Sequence, residues 1–387
     1  MGLCSNISYS RKTAELTHIE GIGDSYTISG LEPTPPDPKP ERKITMIRVA
    51  VIGVNHIGSI HCRTYRQHPD TELAAVCDLL PERAEAAGRQ FGVPAYTDLA
   101  AMLDKERIDV VIVATAGVEK GSHHFAPAMA AIEAGKDVLV EKPISNRIDE
   151  ARRMVAFARE KGVRLACNLN HRFAPAAYKA KELVSAGKLG SLLFLNMRLT
   201  INNPQDDTEW LHMRALHPHS IDVLRYFGGD IKRVQSFMTK APGRLAWSTV
   251  SVNMEFASGA VGHLTGSYDM SMKHPIEYCE VAGNVGRFVI DNVYESMTYY
   301  PHHSNDLTVF RNPIFGGMQG FDDTFKQRIN RFVGQIKAGD APGEIEASGA
   351  DALAAQEVIE AAIRSHQLGG APVDVPYGND NSGGSAT

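Results

Sequence analysis

The sequence of 387 residues predicts an α/β fold in two parts: an N-terminal parallel sheet covered by helices, then a C-terminal α+β domain with an open, mostly antiparallel sheet. The first observation is that short β-branched strands alternate with helical stretches of about 10–15 residues, which is typical of βαβ units. The second is that, in the later half, strand-like runs follow one another across short turns. Hydrophobic residues make up 43% of the chain, enough for both cores.

The N-terminal part contains apolar runs of the kind found in strands that are buried on both faces. The strands predicted here are Arg48–Ile52, Glu72–Cys77, Val110–Ala114, Val138–Val140 and Arg164–Asn168. The helices predicted between them are Ser59–His68, Leu80–Phe91, His124–Ala134 (which ends at Gly135) and Ile148–Glu160.

The C-terminal part begins with strands and ends with long helices, which indicates an antiparallel sheet with helices against it. The predicted strands are Leu192–Leu199, Arg233–Phe237, Thr249–Phe256, Ala260–Tyr268, Glu277–Ala282 and Gly286–Ile290. The predicted helices are Phe321–Ile336 and Ala347–Arg364. The strands read as apolar on both sides, so we expect a second layer against the sheet.

The chain is predicted to divide into four segments. Residues 1–45 form a disordered or extended tail, because this polar stretch ends in the proline-rich run Glu32–Pro40. Residues 46–168 form the parallel-sheet domain, and residues 169–376 form the α+β domain, whose C-terminal helix is a candidate to pack back on the first. The Gly/Ser-rich residues 377–387 form a flexible tail.

Charge and cysteine content argue against several classes of protein. The net charge is −5 without long runs of either sign, so neither nucleic acid nor a membrane surface is an expected partner. The five cysteines are far apart and form no CxxC pair, which argues against a disulfide framework and favours the reducing cytoplasm. No apolar run approaches the ~18–20 residues of a membrane-spanning helix.

The strongest local motif is the glycine-containing turn after the first predicted strand. Gly53 allows a tight turn, Gly58 lets the next helix pack against the strand, and Asp78 ends the second strand. This order is typical of a dinucleotide site in which Asn55, His56 and Ile57 open the helix beneath the pyrophosphate. Asn55 replaces a middle glycine, which is tolerated if Asn55 is left-handed.

The acid at the end of the second strand bears on the choice of cofactor. The Asp78 carboxylate would accept hydrogen bonds from the adenosine ribose and repel a 2′-phosphate, so NAD is favoured over NADP. The alternative is a glycine-rich turn in an α/β fold that binds nothing.

A second motif is Glu141-Lys142-Pro143, at the carboxyl end of a predicted strand, where open α/β sheets place ligands. A lysine there can bind a substrate hydroxyl, and burial would lower its pKa toward a usable range. Pro143 can fix the direction of the lysine, for example through a cis peptide bond. The alternative for so short a motif is a surface lysine.

Together these motifs make the chain similar to the Gfo/Idh/MocA family from Met46 to about Pro376. His61, His124 and the segment Asn170–Pro175, which resembles the family's Asn-x-Arg-Phe-x-Pro, add to the likeness. The resemblance implies a Rossmann domain, an open antiparallel sheet and NAD(P)-dependent oxidation or reduction of sugars, cyclitols and related compounds. It also implies that Lys142 is the catalytic lysine and that Thr115, His124 and Glu141 lie near the cofactor.

The chain departs from the family at Asp-x-Gly-x-His-x-x-Asp, which lies on a helix over the nicotinamide. Here the segment is Ala215–Asp222: His219 and Asp222 match, Ala215 stands in place of the first Asp, and His217 replaces the glycine. We expect His219 to act as an acid or base, because imidazole titrates near neutrality, with Asp222 or substrate hydroxyls orienting it. The alternative is that His219 only packs within the helix.

Further candidates are polar or aromatic side chains that suit a sugar. Asn170, Arg172, Trp210, His217 and Asp222 are the predicted substrate contacts, and scaffold roles are their alternative. His212, His217 and His219 raise a metal hypothesis, but Pro218 interrupts them and no matching ligand pattern is near, so we predict no metal.

The leading hypothesis is therefore an NAD-dependent dehydrogenase acting on a secondary alcohol of a small sugar, glycoside or cyclitol. The alternative is a non-catalytic NAD-binding sensor of the same fold, which Ala215 favours and the retained Lys142 and His219 disfavour. A homodimer or homotetramer packed sheet to sheet is expected, as the resemblance implies.

Overall fold

The structure is a computed structural model that describes residues 46–116 and 123–378. The predicted N-terminal tail and residues 379–387 of the predicted C-terminal tail lie outside the described residues. Among the described helices, none combines the length and the apolar character required to cross a bilayer.

The first sheet has six parallel strands in the order β3-β2-β1-β4-β5-β6. Its strands are β1 (Ile47–Ile52), β2 (Thr71–Cys77), β3 (Ala95–Tyr96), β4 (Val110–Val113), β5 (Asp137–Val140) and β6 (Leu165–Cys167). The helices between them are α1 (His56–Gln67), α2 (Pro81–Phe91), α3 (Leu99–Lys105), α4 (Phe125–Glu133) and α5 (Ile148–Lys161). The predicted strands and helices of this part are confirmed, whereas β3 and α3 were not predicted.

Both faces of this sheet are buried, which explains its continuous apolar strands. In β4, Val110 and Ile112 face one core cluster while Val111 and Val113 face the other. The short α3 begins at Asp98, whose side chain accepts hydrogen bonds from two backbone N–H groups of its first turn.

The second sheet has nine strands in the order β14-β13-β12-β11-β7-β10-β9-β8-β15. They are β7 (Leu192–Thr200), β8 (Ile231–Thr239), β9 (Thr249–Phe256), β10 (Val261–Ser267), β11 (Glu277–Gly283), β12 (Gly286–Asp291), β13 (Ser296–Pro301), β14 (Thr308–Arg311) and β15 (Val373–Asp374). All neighbours are antiparallel except β7 and β10, which pair in parallel. The predicted mostly antiparallel sheet is therefore confirmed, with three strands more than predicted.

The helices of the second part are α6 (Pro175–Ser185), α7 (Leu211–Gly228), α8 (Phe321–Ala338) and α9 (Gly349–Gln367), and a 3₁₀ turn at Asn170–Phe173 follows β6. Helices α6, α7 and α9 cover one face of the second sheet with a common core cluster. Helix α8 instead contributes Ile329, Phe332, Val333 and Ile336 to a core cluster of the first sheet.

The other face of the second sheet is polar along β9. In β9, Val250, Val252, Met254 and Phe256 are buried, while the alternating positions are Thr249, Ser251, Asn253 and Glu255. The expectation of strands that are apolar on both sides was therefore wrong for this central strand: its period-2 pattern marks one dry face and one polar face.

Candidate active site

The candidate active site is a cleft of about 930 Å³ at the carboxyl edge of the first sheet. It lies beside β1 and β4, where the strand order reverses, which is where open α/β sheets bind ligands. The sequence candidates on its wall are Gly53, Asn55, His56, Ile57, Asp78, Thr115, His124, Glu141, Lys142, Asn170 and His219.

The turn after β1 is built for close approach of another group. Gly53 has φ +82°, and a Cβ there would lie 2.6 Å from the Thr115 nitrogen. A Cβ at Gly58 would lie 1.8 Å from the Gly53 oxygen, so only glycine lets α1 sit this close to the strand. Asn55 has φ −74° and ψ −160°, so the replacement of the middle glycine does not depend on a left-handed Asn55: the backbone is extended here and needs no glycine.

The acid at the end of β2 is fixed by the backbone around it. Asp78 Oδ2 accepts a hydrogen bond from the Val54 N–H at 3.0 Å, and Oδ1 accepts one from the Leu80 N–H at 3.0 Å. The carboxylate is buried, lines the cleft and keeps lone pairs for ribose hydroxyls. With the open N-terminus of α1 beside it, this end of the cleft fits a dinucleotide.

Glu141 lines the cleft, and two neighbouring side chains hold its carboxylate in place. Its Oε1 accepts a hydrogen bond from Asn168 Nδ2 at 2.7 Å and lies 2.8 Å from His61 Nε2. Burial alone would raise the pKa of Glu141, but the hydrogen bond from His61 and the positive charges of His61 and Lys142 outweigh it and hold the pKa below its usual value. Glu141 is therefore a fixed negative charge beside Lys142.

His124 ties together the loops that follow β4 and β5. Its Nδ1 lies 2.8 Å from the Pro143 oxygen and its Nε2 lies 2.9 Å from the Thr115 oxygen. Burial lowers the pKa of His124 despite these two carbonyls. The residue thus fixes both the lysine-bearing loop and the Thr115 wall of the cleft.

Lys142 projects from the carboxyl end of β5 into the cleft, and its peptide bond to Pro143 is cis, as the sequence indicated. Its Nζ donates a hydrogen bond to the Ala215 carbonyl oxygen of α7 at 3.0 Å. Burial lowers the pKa of Lys142, and the negative charge of Glu141 opposes this only in part. A lysine in this state can exchange a proton with a substrate hydroxyl.

His219 lines the cleft from α7, one helical turn after Ala215. Its ring stacks on His171 with centroids 4.2 Å apart and an interplanar angle of 8°. Its buried Nδ1 has no hydrogen-bond partner among the described residues. Burial, followed by the charges of His171 and Lys142, puts the pKa of His219 well below its usual value, so the ring is neutral at pH 7.

Other sequence candidates have structural partners instead of a place on the cleft wall. Arg172 donates two hydrogen bonds to Asp222, one of them from Nε at 2.7 Å, and this ion pair is buried. Trp210 stacks near Trp247 outside the cleft. Gly58 lies beneath the glycine turn, against the Gly53 oxygen. The His217 ring nitrogens lie 3.0 Å from Ser220 Oγ and 3.0 Å from His212 Nε2. Substrate contact by Arg172, Trp210, His217 or Asp222 therefore has no support in this geometry.

The structure adds residues that sequence reasoning missed. Phe321 and Phe325, at the start of α8, form an aromatic wall of the cleft. Apart from the motif on α7, the predicted site motifs lie more than 140 residues before these two aromatic residues. No local pattern marks an aromatic residue near the start of a helix as a site residue. Within the described residues, no group of three metal-ligating side chains lies close enough to hold an ion.

Comparison with known proteins gives matches over both parts of the chain. Residues 47–169 match the model of an oxidoreductase family with an NAD-binding Rossmann fold, and residues 178–289 match the GFO/IDH/MocA C-terminal domain. Among solved structures, levoglucosan dehydrogenase in complex with NADH and L-sorbose superposes with a TM-score of 0.77 at 21% identity, covering 86% of this chain and 99% of that one.

Curated relatives agree with these matches. The myo-inositol 2-dehydrogenase of Thermotoga maritima is 25% identical over 315 residues, which is 76% of this chain and 90% of that protein. The dehydrogenase aclE of Aspergillus oryzae is 31% identical over 296 residues, which is 70% of this chain and 74% of that protein. The chain thus belongs to the Gfo/Idh/MocA family and is an NAD-binding oxidoreductase.

Proposed function

We propose that this enzyme transfers a hydride between NAD and a secondary alcohol or ketone of a sugar, glycoside or cyclitol, with Lys142 as the group that exchanges the hydroxyl proton. The observation that carries the proposal is the position of Lys142. Its amine lies buried in the same cleft as the glycine turn and Asp78, which fit the pyrophosphate and the adenosine ribose of a dinucleotide.

Bound NAD⁺ supplies the acceptor for the hydride that leaves the carbinol carbon. In the oxidation direction the neutral amine of Lys142 takes the hydroxyl proton, and in the reduction direction its ammonium gives a proton to the carbonyl oxygen. The Ala215 carbonyl accepts a hydrogen bond from the ammonium form of Lys142, and the negative charge of Glu141 stabilises that form. The neutral ring of His219 and the amide of Asn170 offer hydrogen bonds to further hydroxyls.

The substrate class is a proposal supported by chemistry and by one relative. The cleft wall near Lys142 combines polar groups of Asn170 and His219 with the aromatic faces of Phe321 and Phe325, a combination that suits a ring bearing hydroxyls and C–H faces. Myo-inositol, named for the Thermotoga relative, is such a compound. A non-catalytic sensor is not favoured, because the lysine keeps its place and its lowered pKa.

Oligomeric state and location extend this proposal. A homodimer or homotetramer would cover the exposed face of the second sheet, whose polar and apolar mixture suits a wet interface. Light scattering during gel filtration at micromolar concentration tests this oligomeric state, and a monomer under these conditions contradicts it.

The cytoplasmic location is supported by the free, buried thiols of Cys62, Cys77, Cys167 and Cys279.

The test is reduction of NAD⁺ by the purified chain with a panel of sugars, glycosides and inositols, followed at 340 nm. We expect turnover with at least one compound and its loss in Lys142→Met, while NADH binding measured by fluorescence stays within about twofold. Lys136→Met, at the opposite end of β5, is the matched control and keeps full activity. Normal turnover by Lys142→Met would overturn the assignment.

A further inference from the structure

His219 is an imidazole on the wall of the active site that lacks the usual second support. A histidine that acts on a substrate normally has its other ring nitrogen held by a carbonyl or a carboxylate. Here Nδ1 is buried without a hydrogen-bond partner among the described residues, so Nε2 is the nitrogen left to the cleft. Position 215, one turn earlier on the same helix face, has only a methyl group.

The contact that fixes the His219 ring is the stacked ring of His171. The centroids lie 4.2 Å apart and the planes are within 8° of parallel. His171 lies in the 3₁₀ turn after β6, whose other side chains are also fixed: Asn170 donates to Thr324 Oγ1 at 2.6 Å, and Arg172 is paired with Asp222. The turn therefore gives the His171 ring little freedom to move.

His171 is held from behind by a carboxylate of the second sheet. Its Nδ1 lies 2.7 Å from Glu277 Oε2, at the first residue of β11. Glu277 is 4% exposed and His171 is 9% exposed, so this pair is shielded from water and its electrostatic effect on neighbouring rings is little screened.

Glu277 is the carboxylate that holds the ring stacked on His219. Asp222 is consumed by the two hydrogen bonds from Arg172, and Glu141 accepts from Asn168 and lies against His61. Glu277 therefore acts on His219 through the stacked imidazole of His171.

We propose that His171, held by Glu277, is the positioning residue of His219: the stacked ring fixes the plane of His219 toward the cleft, and Glu277 fixes the His171 ring through its Nδ1. This inference rests on the proposed dehydrogenase function. It means that a residue of β11, in the second sheet, helps to position a side chain in the cleft of the first sheet.

The first test removes the charge and keeps the shape. Glu277→Gln lowers kcat about 10- to 100-fold, a share of what a positioned acid–base group contributes, while the Kd for NADH stays near wild type. The thermal midpoint also falls, because one partner of a buried pair is lost. Glu280→Gln is the matched control: it removes a buried carboxylate from the same strand, but one that faces away and is paired with Arg287 Nη1 at 2.5 Å. Equal kcat values for the two variants would overturn the proposal.

The second test separates stacking from charge. His171→Phe keeps a flat ring against His219 and loses less kcat than His171→Ala, which removes the stack. Ring ¹⁵N shifts of His219, recorded without NAD, move in His171→Ala and in Glu277→Gln but not in Glu280→Gln. Unchanged shifts in all three variants would contradict the positioning role whatever the activity shows.

The third test is a rescue that a merely structural role of Glu277 cannot give. Ala215→Asp places a carboxylate one helical turn from His219 and, in the Glu277→Gln background, restores kcat about tenfold. A double variant no faster than Glu277→Gln would refute the positioning role. A wild-type protein without turnover on any substrate, or an active Lys142→Met, would instead refute the proposed function, so the two failures are distinguishable.

Discussion

The buried pair of Arg172 and Asp222 gives the sharpest test of which site residues are scaffold. Arg172 donates from Nε to Asp222 Oδ2 at 2.7 Å and from Nη2 to Oδ1, and the side chains are 7% and 1% exposed. Burial raises the pKa of Asp222, and the Arg172 charge and hydrogen bonds oppose that shift. Asp222→Asn keeps the shape and leaves a buried guanidinium without its main counter-charge.

The expected cost follows from this geometry. Breaking a buried ion pair by removing one partner costs about 3–5 kcal/mol. Asp351, 3.4 Å from Arg172 Nη1 and 32% exposed, keeps part of the compensation, so we expect the lower end, about 3 kcal/mol. At roughly 2 °C per kcal/mol for a chain of this size, the thermal midpoint falls by about 6 °C.

The assay is thermal unfolding followed by circular dichroism, together with steady-state kinetics well below the transition. Asp374→Asn, which breaks the exposed pair with Arg233, is the control and shifts the midpoint by less than about 1 °C. If Asp222→Asn left the midpoint unchanged and raised KM for the substrate, the pair would not be scaffold and Asp222 would contact the substrate.

Three further outcomes are expected. Gly58→Ala, whose Cβ would lie 1.8 Å from the Gly53 oxygen, displaces α1 and lowers kcat/KM for NAD⁺ about 100-fold; an unchanged value would contradict the packing argument. Because burial lowers the pKa of Lys142, kcat/KM for oxidation rises with pH through an inflection below the ordinary pKa of 10.5. The free energy of unfolding rises with pH between the lowered pKa and 10.5, because the unfolded chain binds more protons there. An inflection at 10.5 in the pH profile of kcat/KM would refute this reasoning. Asp78→Asn keeps the acceptor for Val54 N–H and removes the charge, so the preference for NAD⁺ over NADP⁺ in kcat/KM falls about tenfold; a constant ratio would show that the charge does not select the cofactor.

The first sheet could be predicted from sequence because each strand is a short, fully buried apolar run bounded by a helix pattern. Its misses have a physical reason: β3 is two residues long and partly exposed, so it has no hydrophobic period. In the second part, β13 and β14 are mostly half-exposed or exposed and carry no clear alternation. Helix α7 contains Pro218, which local rules count against a helix, and its packing between the sheet and α9 overrides that cost.

The residues of the candidate site could likewise be predicted only in part. Gly53, Asp78 and Lys142 could be found because each follows a predicted strand, and parallel strands bring their carboxyl ends to one edge. Phe325 could not, because it reaches the cleft from a helix more than 100 residues away and its local pattern is that of an ordinary helix. Arg172 and Asp222 are predicted substrate contacts because polar groups near the motif suit a sugar; in the structure the two pair with each other, which favours their alternative role as scaffold.

Helix α8 has a consequence for how the polypeptide becomes able to capture its coenzyme. Its residues Ile329, Phe332 and Val333 complete a core of the first sheet, although the whole second sheet except β15 lies between them and β6 in the chain. Arg328 on the same helix donates to the Cys167 carbonyl at the end of β6. A truncated chain that stops after β6 would expose that apolar surface to water, so the sheet that bears the nucleotide cleft depends on a helix encoded far beyond it.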